Sequence, residues 1–317
     1  MSVVAQINRR PQPWQIALSA GVLAYLTLGA ATGTARPYHW FMLLIIPVAF
    51  IAAERCRRFF LDWAPLVIFW LIYDRLRLLQ PMLLHRVVVA WPYQLERWLF
   101  GSLAGGDVPA HAARLWLSAQ SGTLAGAALS WAAQLVYLSH IFLVPLLFMY
   151  WWVRGRSDQN HRARFRRMMR AFAYLNFAAI VVYLLLPVAP PWWVSLNGMA
   201  QPTLELLAQM KISAAMDGKL VTALIRNAAQ WFAAVPSLHG AYPVLLVLMA
   251  WRERRRLMLG ALMVYTLAMW TATIVLNQHY VIDLLAGGLM AGAAWLIGEW
   301  QARRAASAVR AKAQSGF

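Results

Sequence analysis

Apolar stretches long enough to cross a bilayer recur along the chain, separated by short polar segments. A transmembrane helix needs about 20 consecutive, mostly apolar residues. By that measure the pattern predicts eight spans, at about residues 14–33, 38–53, 59–73, 125–152, 171–188, 237–251, 257–278 and 280–300. The predicted fold class is therefore all-α, a polytopic transmembrane helical bundle. In the last span, Gly288 and Gly292 form a G-x-x-x-G pattern that predicts a face packed closely against another helix.

Two longer segments interrupt this pattern. Residues 74–123 contain RLRLLQPMLLHRVVVAWPYQLERWLFG, in which polar residues recur at helical intervals among Trp and Leu, as in amphipathic helices that lie in the membrane interface. Residues 189–236 begin with APPWWVSLNG, and a helix cannot continue through the Pro-Pro step. The paired Trp192 and Trp193 are typical of an interfacial aromatic belt.

Composition and charge agree with a membrane protein, since 62% of the residues are hydrophobic and only 13% are charged. The net charge of +18 would suit a nucleic-acid-binding protein, but its distribution argues against one. With the N-terminus inside, the inner segments carry 20 of the 29 Lys and Arg residues, which is the positive-inside pattern. We therefore expect a multi-pass protein of the cell inner (plasma) membrane with both termini cytoplasmic. Its basic runs would contact anionic membrane lipids and no nucleic acid.

The chain carries no signature of cofactor chemistry. Its single cysteine, Cys56, excludes an intramolecular disulfide, and no Cys/His group has the spacing of zinc ligands. The sequence predicts an activity carried by side chains alone, with no metal and no cofactor. It also predicts no obligate protein partner.

Histidine, aspartate, arginine and tryptophan residues from four distant parts of the chain converge on the outer face in this topology. Burying such groups near hydrocarbon is costly, so at this depth they usually have a function. They are His239 at the start of span six, His279 and Asp283 at the start of span eight, Arg75 and Arg77 just beyond span three, and Trp192 and Trp193 just beyond span five. Their convergence predicts a site on the periplasmic or extracytoplasmic face.

The spacing of these residues fits phosphoryl transfer. His279 and Asp283 are four residues apart, so on a helix the carboxylate can accept the proton of one imidazole nitrogen and leave the other as a nucleophile. Ser237 follows a proline and is placed to be an N-cap, which leaves backbone N–H groups for a phosphate oxygen. His239, in the first turn, could protonate a leaving alkoxide. Each feature alone could be structural, but together on one face they favour catalysis through a phosphohistidine.

These residues resemble the motifs of a known family. PSLH (residues 236–239), followed by HYVIDLLAG (residues 279–287), is similar to motifs two and three of the type 2 phosphatidic acid phosphatase superfamily of membrane enzymes. P-S-L-H in place of P-S-G-H, the H-Y-x-x-D-x-x-A-G pattern and the upstream LLPVAPPWW resemble the branch that contains fungal inositol phosphorylceramide synthase and its bacterial relatives. The resemblance covers roughly spans three to eight.

The resemblance implies a division of the chain and roles for three residues. A six-helix, phosphatase-like catalytic core would occupy residues 59–300, with N-terminal spans in 1–58 and a basic cytoplasmic tail in 301–317. Within the core, His279 would be the nucleophile, Asp283 the residue that orients it, and His239 the general acid and base.

The cations that bind phosphate in this family are missing from their usual places. Ala272 and Thr273 stand where motif three has serine and arginine, and no K-x6-R-P occurs in the chain. Arg75 and Arg77 are our candidates to neutralise the phosphate, since phosphoryl transfer needs positive charge at the equatorial oxygens. A topological role or contact with lipid headgroups is the alternative for both. Further candidates for substrate binding are Ser237, His140, Trp192, Trp193 and Tyr280.

Three functions are compatible with these residues. The first is a phospholipid-headgroup phosphotransferase similar to inositol phosphorylceramide synthase, in which a phospholipid donor passes its phosphoryl headgroup to a lipid hydroxyl acceptor. The second is a lipid phosphate phosphatase that hydrolyses phosphatidate or a polyprenyl (di)phosphate, and the third is a non-catalytic lipid-binding membrane protein. A diester carries one negative charge and a monoester nearly two, so the missing cations favour the transferase. The complete His/His/Asp set argues against a binding protein.

Overall fold

The computed structural model describes residues 11–51, 53–210 and 219–315. Within these ranges the chain forms thirteen α-helices and, apart from isolated bridges, no β-strand. The helices are α1 Pro13–Ala31, α2 Ile45–Ile51, α3 Ala53–Leu83, α4 Ala90–Phe100, α5 Pro109–Ala119, α6 Leu124–Arg154, α7 Gln159–Leu185, α8 Pro191–Asn197, α9 Leu204–Gln209, α10 Lys219–Asn227, α11 Leu238–Arg252, α12 Arg256–Val275 and α13 Val281–Ser315. The predicted all-α fold is confirmed.

Five helices are long and apolar enough to cross a membrane: α1, α6, α7, α12 and the part of α13 over Val281–Arg304. They correspond to five of the eight predicted spans, and they make this a multi-pass membrane protein. The predicted span 38–53 is instead a 3-10 segment, Pro37–Leu44, followed by the seven-residue α2. Helix α11 has 15 residues, or about 22 Å at 1.5 Å per residue, which is shorter than a typical hydrocarbon core.

The chain divides into two compact units, residues 1–71 and 72–317, with the boundary inside α3. In the first unit, the Gln15 side chain on α1 donates a 2.9 Å hydrogen bond to the Ala49 carbonyl of α2. The second unit contains every candidate site residue. Helix α13 continues to Ser315, and the division into N-terminal spans, catalytic core and cytoplasmic tail stays a prediction.

The beginnings of α11 and α13 pack against each other at two glycines. A Cβ atom built on Gly287 would lie 2.2 Å from the carbonyl oxygen of Ser237, and one built on Gly240 would lie 3.0 Å from the Cα of Leu284. Contacts below 3.0 Å are almost never seen for a real Cβ, so Gly287 has no space for a side chain. Of the predicted G-x-x-x-G pair, a Cβ on Gly288 would be at ordinary contact distance, 3.6 Å from the Trp270 ring, whereas no atom lies within 4 Å of a Cβ on Gly292; the closest approach falls on Gly287.

Three extended segments lie side by side before the site. Isolated parallel bridges join Val88 to Val188 and Val188 to Ala233. In them, the Val88 N–H donates to the Pro187 carbonyl at 2.8 Å, and the Val188 N–H donates to the Phe232 carbonyl at 2.8 Å. These bonds fix the segment that leads into α11.

Trp192 and Trp193, on α8, pack inside the protein. Trp192 is 2% exposed and Trp193 is fully buried in a hydrophobic cluster with residues such as Val89 and Phe232. The Trp193 indole N–H donates to the Ala200 carbonyl at 2.9 Å. The predicted interfacial belt is therefore wrong for this pair, because the extended segments and neighbouring helices cover both rings.

Candidate active site

Ser237 begins α11 and connects it to α13. Its side-chain oxygen accepts a 3.1 Å hydrogen bond from the Gly240 N–H, which is the predicted N-cap geometry. Its own N–H donates to the carbonyl of Asp283 at 3.0 Å. The first turn of α11, which carries His239, is thereby joined to the first turn of α13.

His279 and Asp283 are in contact across that turn of α13. Asp283 Oδ2 lies 3.3 Å from His279 Nδ1 and also accepts a 2.9 Å hydrogen bond from the Tyr280 N–H. The Asp283 side chain is fully buried. Since a carboxylate only accepts hydrogen bonds, this contact places the imidazole proton on Nδ1 and leaves a lone pair on Nε2.

His279 Nε2 faces the second candidate histidine. It lies 3.0 Å from Nδ1 of His239. Because Nε2 of His279 is the acceptor in the tautomer set by Asp283, Nδ1 of His239 must be the donor. The proton of His239 therefore points at the nitrogen expected to attack phosphorus. Such an attack needs phosphorus about 3–3.5 Å from the nitrogen, so substrate must enter between the two rings.

Two residues of α6, one turn apart, hold the His239 ring. Tyr137 stacks on it with ring centroids 4.5 Å apart, and His140 meets it edge-on at 4.2 Å. Nδ1 of His140 bonds the Tyr137 carbonyl, so that nitrogen carries its proton. The structure thus brings His140 to the site. It also adds Tyr137, which the sequence reasoning missed although it lies only three residues before His140 in YLSH.

The two candidate phosphate-binding arginines share one carboxylate. Arg77 Nη2 lies 2.6 Å from Asp74 Oδ1, and Arg75 Nε lies 4.0 Å from Asp74 Oδ2. The three residues together carry one positive charge. Binding of phosphate by these arginines stays a prediction.

The positions where the family has serine and arginine supply no charge here. Ala272 is buried, and the buried Thr273 hydroxyl donates to the Trp270 carbonyl at 2.8 Å. Tyr280, predicted to bind substrate, is also fully buried, and its hydroxyl makes no hydrogen bond within the described residues. Substrate binding by Trp192, Trp193 and Tyr280 stays a prediction.

A carboxylate from outside the motifs reaches the start of α13. Glu96, on α4, accepts hydrogen bonds from the N–H groups of Val281 at 2.8 Å and Ile282 at 3.1 Å. Burial raises the pKa of Glu96 to about 7; the two backbone bonds oppose that rise, and the nearby Asp283 adds to it. No motif marks this residue in the sequence.

The family follows from residues 111–297, which match the model of the PAP2 superfamily. That range contains His239, His279 and Asp283 and covers more than half of the chain. The chain belongs to the PAP2 superfamily. Members of this superfamily are lipid phosphotransferases or phosphatases, so the chain is an enzyme.

Several curated members of the superfamily are similar to the chain. A phosphoinositol dihydroceramide synthase of Bacteroides thetaiotaomicron is 27% identical over 288 residues, covering 87% of this chain and 88% of the relative. The inositol phosphorylceramide synthase of Candida albicans is 26% identical over 125 residues, covering 38% of this chain and 26% of the relative. The catalytic subunit of the Saccharomyces cerevisiae enzyme is 26% identical over 124 residues, covering 37% and 30%. No solved structure matches the chain.

Proposed function

We propose that the chain transfers a phosphorylated polyol headgroup, such as phosphoinositol, from a phospholipid to the hydroxyl of a ceramide-like lipid. The observation that carries the proposal is the hydrogen-bonded series Asp283–His279–His239, with contacts of 3.3 Å and 3.0 Å. It supplies an oriented nucleophile beside a proton donor, which are the two groups that exchange bonds and protons in a double displacement. The activities for which the bacterial and fungal relatives are named support this substrate class.

In the first half-reaction, His279 Nε2 attacks the phosphorus of the donor. The P–N bond forms while the bond between phosphorus and the diacylglycerol oxygen breaks, and His239, acting as an imidazolium, gives its Nδ1 proton to that oxygen and becomes neutral. Asp283 stabilises the phosphorylated imidazole through Nδ1–H. In the second half-reaction, the acceptor hydroxyl attacks phosphorus, its proton passes to His239, and the P–N bond breaks. The enzyme returns to its starting protonation state.

If Arg75 and Arg77 bind the phosphate, the charge that they supply favours a diester donor. Arg75 and Arg77 share Asp74, so the group carries one net positive charge. A phosphodiester has one negative charge, whereas a phosphate monoester at neutral pH has nearly two. A phosphatase for lipid phosphates would therefore lack half of the balancing charge.

The distribution of basic residues supports an extracytoplasmic site. The segments that carry most of the arginines, such as residues 153–170, lie at the opposite helix ends from His239 and His279. By the positive-inside rule those segments and both termini are cytoplasmic. The reaction would then occur at the outer surface of the inner membrane, on lipids of that leaflet.

The proposal is tested with purified protein, headgroup-labelled phospholipids and ceramide in mixed micelles. We expect the label to move to ceramide with one diacylglycerol released per transfer, and His279→Ala to abolish both products. Label released into water at the same rate with and without ceramide would identify a phosphatase and refute the transferase. Label that stays on the phospholipid with every acceptor would refute the proposed substrate class.

A further inference from the structure

Three successive backbone N–H groups follow the nucleophile, and two carboxylates hold all three. The Tyr280 N–H donates to Asp283 Oδ2 at 2.9 Å, and the N–H groups of Val281 and Ile282 donate to the two oxygens of Glu96 at 2.8 Å and 3.1 Å. The second carboxylate comes from α4, 185 residues earlier in the chain. Elsewhere, as at Ser237, the cap is the residue directly before its helix.

Burying this carboxylate requires compensation. Glu96 is fully buried, and an unpaired buried charge is strongly unfavourable. Two backbone N–H groups at the positive end of a long helix provide part of the compensation, since the helix dipole favours an anion there. Helix α13 is therefore held at a fixed distance from α4.

Helix α4 is itself attached to its neighbours. The Tyr93 hydroxyl donates to Asp107 at 2.9 Å, and Arg97 Nε donates to the Gly106 carbonyl at 2.6 Å. Both partners belong to the turn that leads into α5. Glu96 thus extends from an anchored helix, and its position does not depend on the substrate-binding residues.

We propose that Glu96 is a positioning residue for the nucleophile. By fixing the first turn of α13, it keeps His279 Nδ1 against Asp283 and directs Nε2 at His239. Glu96 acts through α13 and needs no contact with substrate. This proposal rests on the proposed function for its kinetic test, but the backbone geometry can be tested without any reaction.

The kinetic test compares Glu96→Gln and Glu96→Ala with the same substitutions at Glu205. Glu205 is an exposed glutamate on α9 and serves as the control. Misplacing a reacting group by about 1 Å can cost on the order of a hundredfold in rate. We expect Glu96→Ala to lower kcat roughly tenfold to a hundredfold with KM within about twofold. The kcat of Glu96→Gln should lie between those of wild type and Glu96→Ala, since the amide oxygen accepts a hydrogen bond from only one of the two N–H groups. The Glu205 variants should match wild type.

A double-mutant cycle separates positioning from general support of the fold. If Glu96 acts through the His279–Asp283 pair, Glu96→Gln should cost much less activity in an Asp283→Asn background than in wild type. Equal factors in both backgrounds would overturn the proposal, as would a kcat for Glu96→Ala within twofold of wild type. If Glu96→Ala does not fold, the Glu96→Gln cycle alone decides.

Hydrogen exchange tests the geometry in the absence of substrate. Amides of residues 281–282 should exchange at least tenfold faster in Glu96→Gln than in Glu205→Gln, while amides within α12 remain unchanged. Unchanged exchange at 281–282 would overturn the positioning role even if the enzyme proves to be a phosphatase. Faster exchange with no transferase activity in the wild type would instead count against the proposed function alone.

Discussion

Replacing Gly287 by alanine should separate the two proposed catalytic histidines without altering either one. The added Cβ would lie 2.2 Å from the Ser237 carbonyl oxygen, and real Cβ contacts are at least 3.0 Å, so the helix starts must move apart by roughly 0.8 Å or more. The Ser237–Asp283 backbone bond and the His239–His279 contact, both 3.0 Å, span this boundary and would lengthen together.

The expected loss follows from that displacement. A shift near 1 Å costs on the order of a hundredfold in rate, or about 2.7 kcal/mol at 1.36 kcal/mol per tenfold. Gly292→Ala is the matched control, because it makes the same change on the same helix with no atom within 4 Å. Its added methyl group should be neutral or stabilise the helix by up to about 1 kcal/mol.

The assay measures kcat for headgroup transfer in both variants, together with the amount of folded protein after detergent extraction. We expect Gly287→Ala to be about a hundredfold slower than Gly292→Ala at comparable folded yield. Equal activity of the two variants would show that the contact between α11 and α13 does not control the histidine geometry, and the reasoning would be refuted.

Three further predictions concern the mechanism, the phosphate charge and the topology. His239→Ala should lose a factor of about 10²–10⁴ on natural donor but far less on a nitrophenyl ester, whose leaving group departs unprotonated, while His279→Ala stays inactive on both; the opposite pattern would reverse the two roles. If Arg77 binds phosphate, Arg77→Ala should lower kcat/KM on the order of a hundred- to thousandfold. Replacing Arg226, an exposed arginine on α10, by alanine should leave kcat/KM unchanged. Activity of Arg77→Ala within a few-fold of wild type would show that Arg77 contacts lipid headgroups or sets the topology instead. In a Cys56→Ser background, Ser102→Cys should react with an impermeant maleimide on intact cells and Ser157→Cys only after permeabilisation, both side chains being exposed; the reverse would invert the topology.

Contacts of the site between residues close together in the chain could be predicted from the sequence. Asp283 contacts His279 because residues four apart meet on one helical face, and Ser237 caps α11 because a serine after a proline suits that position. The remaining contacts depend on how helices pack. Tyr137 reaches His239 from α6 and Glu96 reaches the start of α13 from α4, and no motif marks either residue in the sequence.

The packing of the helices could not be predicted from the hydrophobic pattern of the sequence either. Two small residues four apart suggested Gly288 and Gly292 as the close-packed face, but the rotation of α13 that brings its first turn against Ser237 places Gly287 at the contact. Likewise, Trp192 and Trp193 have the composition of an interfacial belt, yet the chain folds over them. Which face of an element is covered depends on its neighbours, and a single sequence does not specify them.

On the proposed mechanism, the hydrogen bond between the two histidines determines the order in which the substrates can react. While His239 donates its proton to His279, it has no basic nitrogen at that position, and an acceptor lipid or a water molecule that arrives first is not activated. Phosphorylation of His279 uses that proton on the departing diacylglycerol and so creates the base. The second half-reaction then consumes the base by reprotonating it. The enzyme should therefore follow ping-pong kinetics, and the acceptor lipid alone should not react.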